Sequence, residues 1–387
     1  GRRFILGAIA RLLPHLSMQP VTEEAFCIAR YLLSVHFFQL VFLHVVFAFQ
    51  RRFGGRFRWR GFHLFGIDGT LVKVPPSKAL KAAYPSASNQ FGPAAPQALL
   101  VGLVGLWTGL CNHFLLVPPN RSSEQWCARF LIRYLGPKDL LLCDRNFATF
   151  ATMASVLHRG ADFLIRLPQE RFLKALRQPT PSKRHDEWYS DFPLPPTLRK
   201  AHPHWPQTLH LRIIRYQRPG FRPSWLITSL LDTKLFPNED LVSLYHERWR
   251  QETQHREWKH SLQIANLRSQ SQSGILKEVL VQLTLNNVIR WIMTEATAPG
   301  RRPVDLQFLN AKRLILCAVP IMATAPMALL PKLYSHLLQG IARGVIHIRP
   351  GRQFPRKNDE KARDKGKGIL AQPARLASTY EVPHAFV

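Results

Sequence analysis

Phe62-His-Leu-Phe-Gly-Ile-Asp-Gly-Thr-Leu-Val-Lys-Val74 reads as a β-strand, apolar through its middle, opened after Gly61 and closed by Pro75-Pro76. Two apolar runs follow, Gln97 to Leu106 and Leu110 to Val117, with the turn Trp107-Thr-Gly109 between them, and they predict a hairpin. Ser122 or Ser123 then caps a helix running to Leu135, with Glu124 in its first turn, and Gly136-Pro137 stops it. Asp139 to Asp144 predicts a short buried strand, Phe147 to Arg159 a helix and Asp162 to Leu167 another strand. Strand, hairpin, helix, strand, helix, strand makes an α/β fold whose sheet mixes parallel and antiparallel pairs.

Outward from this block the pattern changes. Residues 168 to about 207 are rich in Pro, Arg, His and Trp and read as an insertion of weak regular structure. Leu209 to Tyr216 and Trp225 to Leu231 resume as strands. Asn238 is the expected N-cap of a helix that carries Tyr245 to Lys259, and Ile275 to Ala296 predicts a strongly apolar helix. Between Tyr31 and Gln50 twenty residues carry no formal charge, but Ser34, His36, Gln39 and His44 interrupt them. A buried helix, and no membrane span, is expected there.

Composition narrows the function. The chain has 387 residues, 53 Lys and Arg against 24 Asp and Glu, and a formal charge of +29. Self-repulsion on that scale suits a protein that neutralises a polyanion, nucleic acid first of all. Five scattered cysteines without a Cys-x-x-Cys pair form neither a disulfide framework nor a zinc ribbon.

The helix Tyr245-His-Glu-Arg-Trp-Arg-Gln-Glu-Thr-Gln-His-Arg-Glu-Trp-Lys259 places Tyr245, Arg248, Glu252 and Lys259 within a sector of roughly 60° if it winds regularly. One carboxylate then stands among groups that bind phosphate, with Arg256 and Trp249 at the edge. Surface ion pairs at i, i+4 are the ordinary alternative. Upstream, Asp68-Gly69 fits a hairpin turn and Asp144 an N-cap, yet both also sit where strands of an α/β sheet could present acids to hard divalent cations.

Tyr245-x2-Arg248-x3-Glu252-x6-Lys259 resembles the Y-R-E-K signature of the IS4-type DDE transposases. Ile67-Asp68-Gly69-Thr70, Leu142-Cys-Asp144-Arg145-Asn-Phe147 and Leu262-Gln-Ile-Ala-Asn-Leu-Arg268 extend the resemblance from about Phe62 to Arg290. It implies an RNase H-like mixed sheet with a β-rich insertion and flanking helical regions. With the residues outside the resemblance read from their own pattern and composition, the expected units are an incomplete helical N-terminal region with a basic linker at 1–60, the catalytic core at 61–296 with its insertion at about 167–235, a helical region at 297–348 and a basic disordered tail at 349–387. Asp68, Asp144 and Glu252 are then the catalytic, metal-binding acids, holding two Mg2+ ions for which Mn2+ can substitute. Tyr245, Arg248, Lys259 and Arg256 face DNA, and Trp249 and Trp225 are expected to stack on bases. The implied activity is cut-and-paste transposition, acting on double-stranded DNA at terminal inverted repeats and at the target, as a homodimer in the bacterial cytoplasm at the nucleoid. The alternative is an inactive or truncated descendant that still binds DNA. Gln251 and His255 depart from the family pattern, which carries apolar residues there.

Overall fold

The computed structural model describes residues 22–85, 88–89, 92–93, 95–168, 180–181, 186–218 and 221–347. The first twenty-one residues of the expected N-terminal region, the basic tail from 349 and parts of the insertion lie outside them.

Helices α1 (Glu23–Leu32) and α2 (Val35–Phe53) precede strand β1 (His63–Lys73). A short helix, α3 (Lys78–Ala83), and a two-residue pair, β2 (Ser88–Asn89) with β3 (Gly92–Pro93), lead to the hairpin β4 (Gln97–Gly105) and β5 (Cys111–Val117). Then come α4 (Glu124–Leu131), β6 (Asp139–Cys143), α5 (Phe150–His158) and β7 (Asp162–Leu167). The insertion contributes β8 (Thr180–Pro181), β9 (Glu187–Pro193), α6 (Pro196–Ala201), β10 (Thr208–Tyr216) and β11 (Ser224–Thr228). The sheet order is β5-β4-β1-β6-β7-β11-β10-β9-β8. β5, β4 and β1 pair antiparallel, β1, β6 and β7 parallel, and the insertion strands extend the β7 edge antiparallel. This mixed α/β sheet, with an antiparallel three-strand unit and a parallel continuation, is the RNase H-like arrangement that the sequence led us to expect.

Strand β4 is buried along nearly its whole length because both faces of the sheet are covered. Cys127, Ala128 and Leu131 of α4 pack with Val101, Leu103 and Phe163 on one face, while Phe42, Leu100, Phe114 and Trp258 meet on the other. Helix α2 buries the stripe Gln39, Phe42, Val46, Phe49 and Phe53, spaced alternately three and four residues apart. Phe49 and Phe53 meet Trp291 edge-on at 6.0 and 5.6 Å on the long helix α9 (Gln272–Ala296). The expected buried helix is therefore buried on one face only, and Phe37, Leu40 and Phe47 are exposed. Among the described residues no helix is long and apolar enough to cross a membrane.

Two sequence expectations are corrected. Glu187–Pro193 is a strand within the stretch read as irregular; its alternation was hidden because Glu187 occupies an inward position that is ordinarily apolar. Asn238 is not the N-cap of the following helix, α7 (Asn238–Tyr245), which is preceded by Pro237 without a side-chain cap. Its side chain instead donates to Glu187 Oε2 at 2.9 Å and accepts from Arg212 Nη2 at 2.5 Å.

Arg212 and Glu187 are an ion pair at 3.4 Å with both side chains fully buried. Arg212 also donates to the Phe236 carbonyl at 2.8 Å, and the Tyr189 hydroxyl donates to Glu187 Oε1 at 2.5 Å. The pair ties the insertion to the start of α7. Removing one member leaves the other charge uncompensated in a dry site, so Glu187→Ala should cost about 3–5 kcal/mol, measured by denaturant unfolding. A loss below about 1 kcal/mol would show that the pair does not carry this junction.

Candidate active site

The helix from Asn238 onward does not wind regularly. After α7 the residues His246–Arg248 tighten into a 3₁₀ turn, α8 (Trp249–Arg256) continues, and Glu257–Ser261 widen into a π turn. The single 60° sector expected for Tyr245 through Lys259 therefore does not follow from residue count. π turns inside helices recur at functional sites.

Three contacts fix this helix on the sheet. The Tyr245 hydroxyl donates to the Cys143 carbonyl at 3.2 Å, one residue before Asp144. Gln251, 1% exposed, stands against Gly66, where a Cβ would come within 2.4 Å of its Oε1. Trp258, fully buried, stands on Gly102, where a Cβ would lie 2.6 Å from the indole. Gly102 is the antiparallel partner of Asp68. Glycine at 66 and 102 thus admits the helix close to the strand that carries the first acid.

Asp68 lies within β1, with Oδ1 accepting its own neighbour's N–H, Gly69, at 2.9 Å. Burial pushes its carboxyl up to about 7; the Gly69 bond opposes this, the charges of Glu124 and Asp144 add to it, and Arg248 opposes it. Asp144 follows β6 and caps a 3₁₀ turn, its Oδ1 accepting from Asn146 N at 2.8 Å. Glu252 Oε1 accepts from Arg248 Nη2 at 3.1 Å. Arg248 acts electrostatically on Asp68, is itself acted on by Asp144 and binds Glu252, so it connects the three acids. Burial works to lower the pKa of Arg248, but Tyr245, Glu252 and Asp144 outweigh it and hold the guanidinium above its ordinary range.

The expected acids thus gather unequally. The charge of Asp144 acts directly on Asp68, whereas Glu252 is engaged by Arg248. Among the described residues no three His, Cys, Asp or Glu side chains are placed to hold a metal ion together. The donor chemistry nevertheless fits a hard divalent cation, since the groups are oxygen donors and a half-buried carboxyl is crowded by two like charges. Glu252 would have to exchange Arg248 for the ion.

The remaining site residues divide. Trp249 is 56% exposed and Arg256 is exposed, while Lys259 lies half-buried on the π turn with its charge acting on His255. Trp225 differs from the expectation of an open stacking surface: β11 is an interior strand between β7 and β10, and the ring is 8% exposed within the apolar core. Tyr245 is likewise buried, its hydroxyl spent on Cys143, and burial raises its pKa. The departures at Gln251 and His255 face inward. Both polar atoms of the Gln251 amide are buried and find no hydrogen-bond partner among the described residues. His255 Nδ1 lies 3.8 Å from Asp68 Oδ2, but burial, with Lys259 adding, lowers its pKa to about 4, so the ring is neutral near pH 7 and the two are not an ion pair.

Sequence reading missed Glu124, which it took as an ordinary first-turn residue of α4. Burial raises its pKa, and its charge weighs on Asp68 ahead of that of Asp144. The only signal available was the acid's place at the start of a helix directly after the hairpin.

The folded chain holds the Asp68 proton more tightly than an unfolded chain, whose carboxyl titrates near the ordinary 3.8. Stability from that proton is present below about pH 4 and lost as the pH rises to about 7. In chelator, the melting temperature of the metal-free protein should fall across this window, and Asp68→Asn should flatten that fall. An unchanged slope in the variant would contradict the burial of this carboxyl.

A family described as the transposase DDE domain matches residues 60–287, more than half of the chain. The transposase InsG for insertion sequence element IS4 of Escherichia coli (strain K12) is 24% identical over 308 residues, covering 77% of this chain and 68% of that protein. Among solved structures, a cryo-EM piggyBac transposase synaptic complex with hairpin DNA is similar at a TM-score of 0.40 and 11% identity, over 80% of this chain and 63% of the length of that one. That last likeness is too distant to bear on the site.

Proposed function

The chain belongs to the transposase DDE domain family, and from that premise we propose a cut-and-paste DNA transposase whose catalytic acids are Asp68, Asp144 and Glu252. The observation that carries this reading is the position of Arg248, bonded to Glu252 at 3.1 Å and within electrostatic reach of both aspartates. A net charge of +29 suits the polyanionic substrate.

The family uses divalent metal ions; here two Mg2+, or Mn2+ in their place, would be held by Asp68, Asp144 and Glu252. When bound, they supply activation of the attacking oxygen and stabilisation of the leaving one. The protein's own groups then position DNA. Arg248, released from Glu252, turns its fork to a phosphate at the element end. Lys259 and Arg256 add positive charge along the strand, and Trp249 offers an open ring to an unstacked base. Tyr245 keeps the helix seated on the Cys143 carbonyl, which keeps Arg248 within electrostatic reach of Asp144.

In the first step water attacks the phosphorus at the element end, the new O–P bond forms, the P–O3′ bond breaks and the freed 3′-OH takes a proton. That 3′-OH attacks the opposite strand to give a hairpin, and after its opening attacks a target phosphodiester. Each later step exchanges one P–O bond for another. The substrate is double-stranded DNA at terminal inverted repeats, the acting form a homodimer on DNA, and the setting the bacterial nucleoid.

A DNA-binding descendant without chemistry is the second reading, favoured by the unpartnered Gln251 amide beneath the helix. One assay separates the two. On a labelled duplex bearing the element's own terminal repeat, Mg2+-dependent nicking should fall at least about a hundredfold in Asp144→Ala and in Glu252→Ala while DNA affinity stays within about threefold. Binding with no nicking by any form favours the descendant, and nicking untouched by either change would show that other acids act.

A further inference from the structure

Glu124 is the first residue of α4, whose Cys127, Ala128 and Leu131 are buried against the sheet and whose N-terminus is capped by Ser123 Oγ, accepting from Trp126 N at 3.1 Å. The helix is thereby fixed, and Glu124 projects from its end toward both aspartates. On one side its carboxylate lies against Gly69: a Cβ there would meet Oε1 at 2.5 Å, Cγ at 2.7 Å and Cδ at 2.9 Å. Gly69 has no left-handed φ, so the backbone itself does not require glycine. What excludes a side chain beside Asp68 is Glu124.

On the other side, Glu124 Oε2 accepts from Asn146 Nδ2 at 2.9 Å, and Asn146 N donates to Asp144 Oδ1 at 2.8 Å. Gln125 Nε2 donates to the Asn146 carbonyl at 2.7 Å, so two successive residues of α4 hold this turn. A single carboxylate therefore touches the strand that carries one acid and, through Asn146, orients the other.

Resting on the assignment of Asp68 and Asp144 above, we propose that Glu124 is a positioning residue of the active site, holding the two aspartates in register through Gly69 and Asn146. Its work is done by the place of its oxygens more than by its charge. Gln at 124 can accept the same bond from Asn146, whereas Ala cannot. Gly69→Ala keeps the charge but pushes the carboxylate aside, and because the displaced atoms end a flexible side chain, the fold can absorb the change.

The test measures Mn2+ binding to the metal-free full chain by electron paramagnetic resonance of free Mn2+, alongside nicking of the terminal-repeat duplex, with DNA affinity and melting temperature as folding controls. Glu124→Ala and Gly69→Ala should each weaken Mn2+ binding about tenfold or more, the scale on which groups orienting metal ligands act. Glu124→Gln should recover most of that loss. Mn2+ binding by Glu124→Ala equal to that of the native chain would overturn the proposal, as would Glu124→Gln as weak as Glu124→Ala, which would assign the effect to charge. Asp144→Ala runs in parallel: if it binds Mn2+ and nicks as the native chain does, the assignment of the acids falls and this proposal with it. If Asp144→Ala fails while Glu124→Ala does not, only the positioning role is lost.

Discussion

The candidate site depends on one guanidinium. Arg248 comes from a tightened helical turn and reaches Glu252 on the next turn of the same helix; its charge acts on Asp68 in β1, and it is acted on by Asp144, just past the end of the adjacent parallel strand β6. Burial is the main cause of the raised carboxyl of Asp68; the charges of Glu124 and Asp144 add to it, and the Arg248 guanidinium works against it. An arrangement of this kind favours exchange. In the proposed reading, a divalent ion held by the acids would take over the neutralising task and leave the guanidinium for a phosphate.

Such an exchange requires the helix to be held firmly from outside the site. Trp258 on Gly102 and Gln251 on Gly66 set its height above the sheet, and Tyr245 sets its angle from the Cys143 carbonyl. Behind it a polar layer joins it to α9: Gln254 donates to Asn286 at 2.9 Å, and the buried Arg290 binds both Gln254 and Glu257. At its start, Asn238 is locked to the Glu187–Arg212 pair, so the insertion braces the site although it contributes none of the acids. Buried polar networks of this sort are directional and fix one registry of the helix where apolar packing would allow sliding.

The central strands were legible in the sequence because their chemistry is local. β1, β4, β5, β6 and β7 are apolar runs bounded by glycine, proline and capping residues, and the strand boundaries fall within a residue or two of expectation. Asp68 and Asp144 were candidates because of their strand placement, and the spacing of Tyr245, Arg248, Glu252 and Lys259 suggested one helical segment without its 3₁₀ and π turns. What could not be read depended on distant partners. Glu187 fell within the stretch read as irregular, because the partner that lets it be buried, Arg212, lies 25 residues later. Asn238 looked like a cap, Trp225 like an open ring, and regular winding gave no hint of the 3₁₀ and π turns. Glu124 escaped notice because its role comes from contacts with Gly69 and Asn146, on other elements.

The most direct measurement is a crystal structure of the full chain soaked in Mn2+, with the ion located by anomalous scattering. Mn2+ is expected within bonding distance of Asp68, Asp144 and Glu252 carboxylate oxygens, with Arg248 turned away from Glu252. Mn2+ bound elsewhere, with the Arg248–Glu252 pair intact and the two aspartates unliganded, would contradict it.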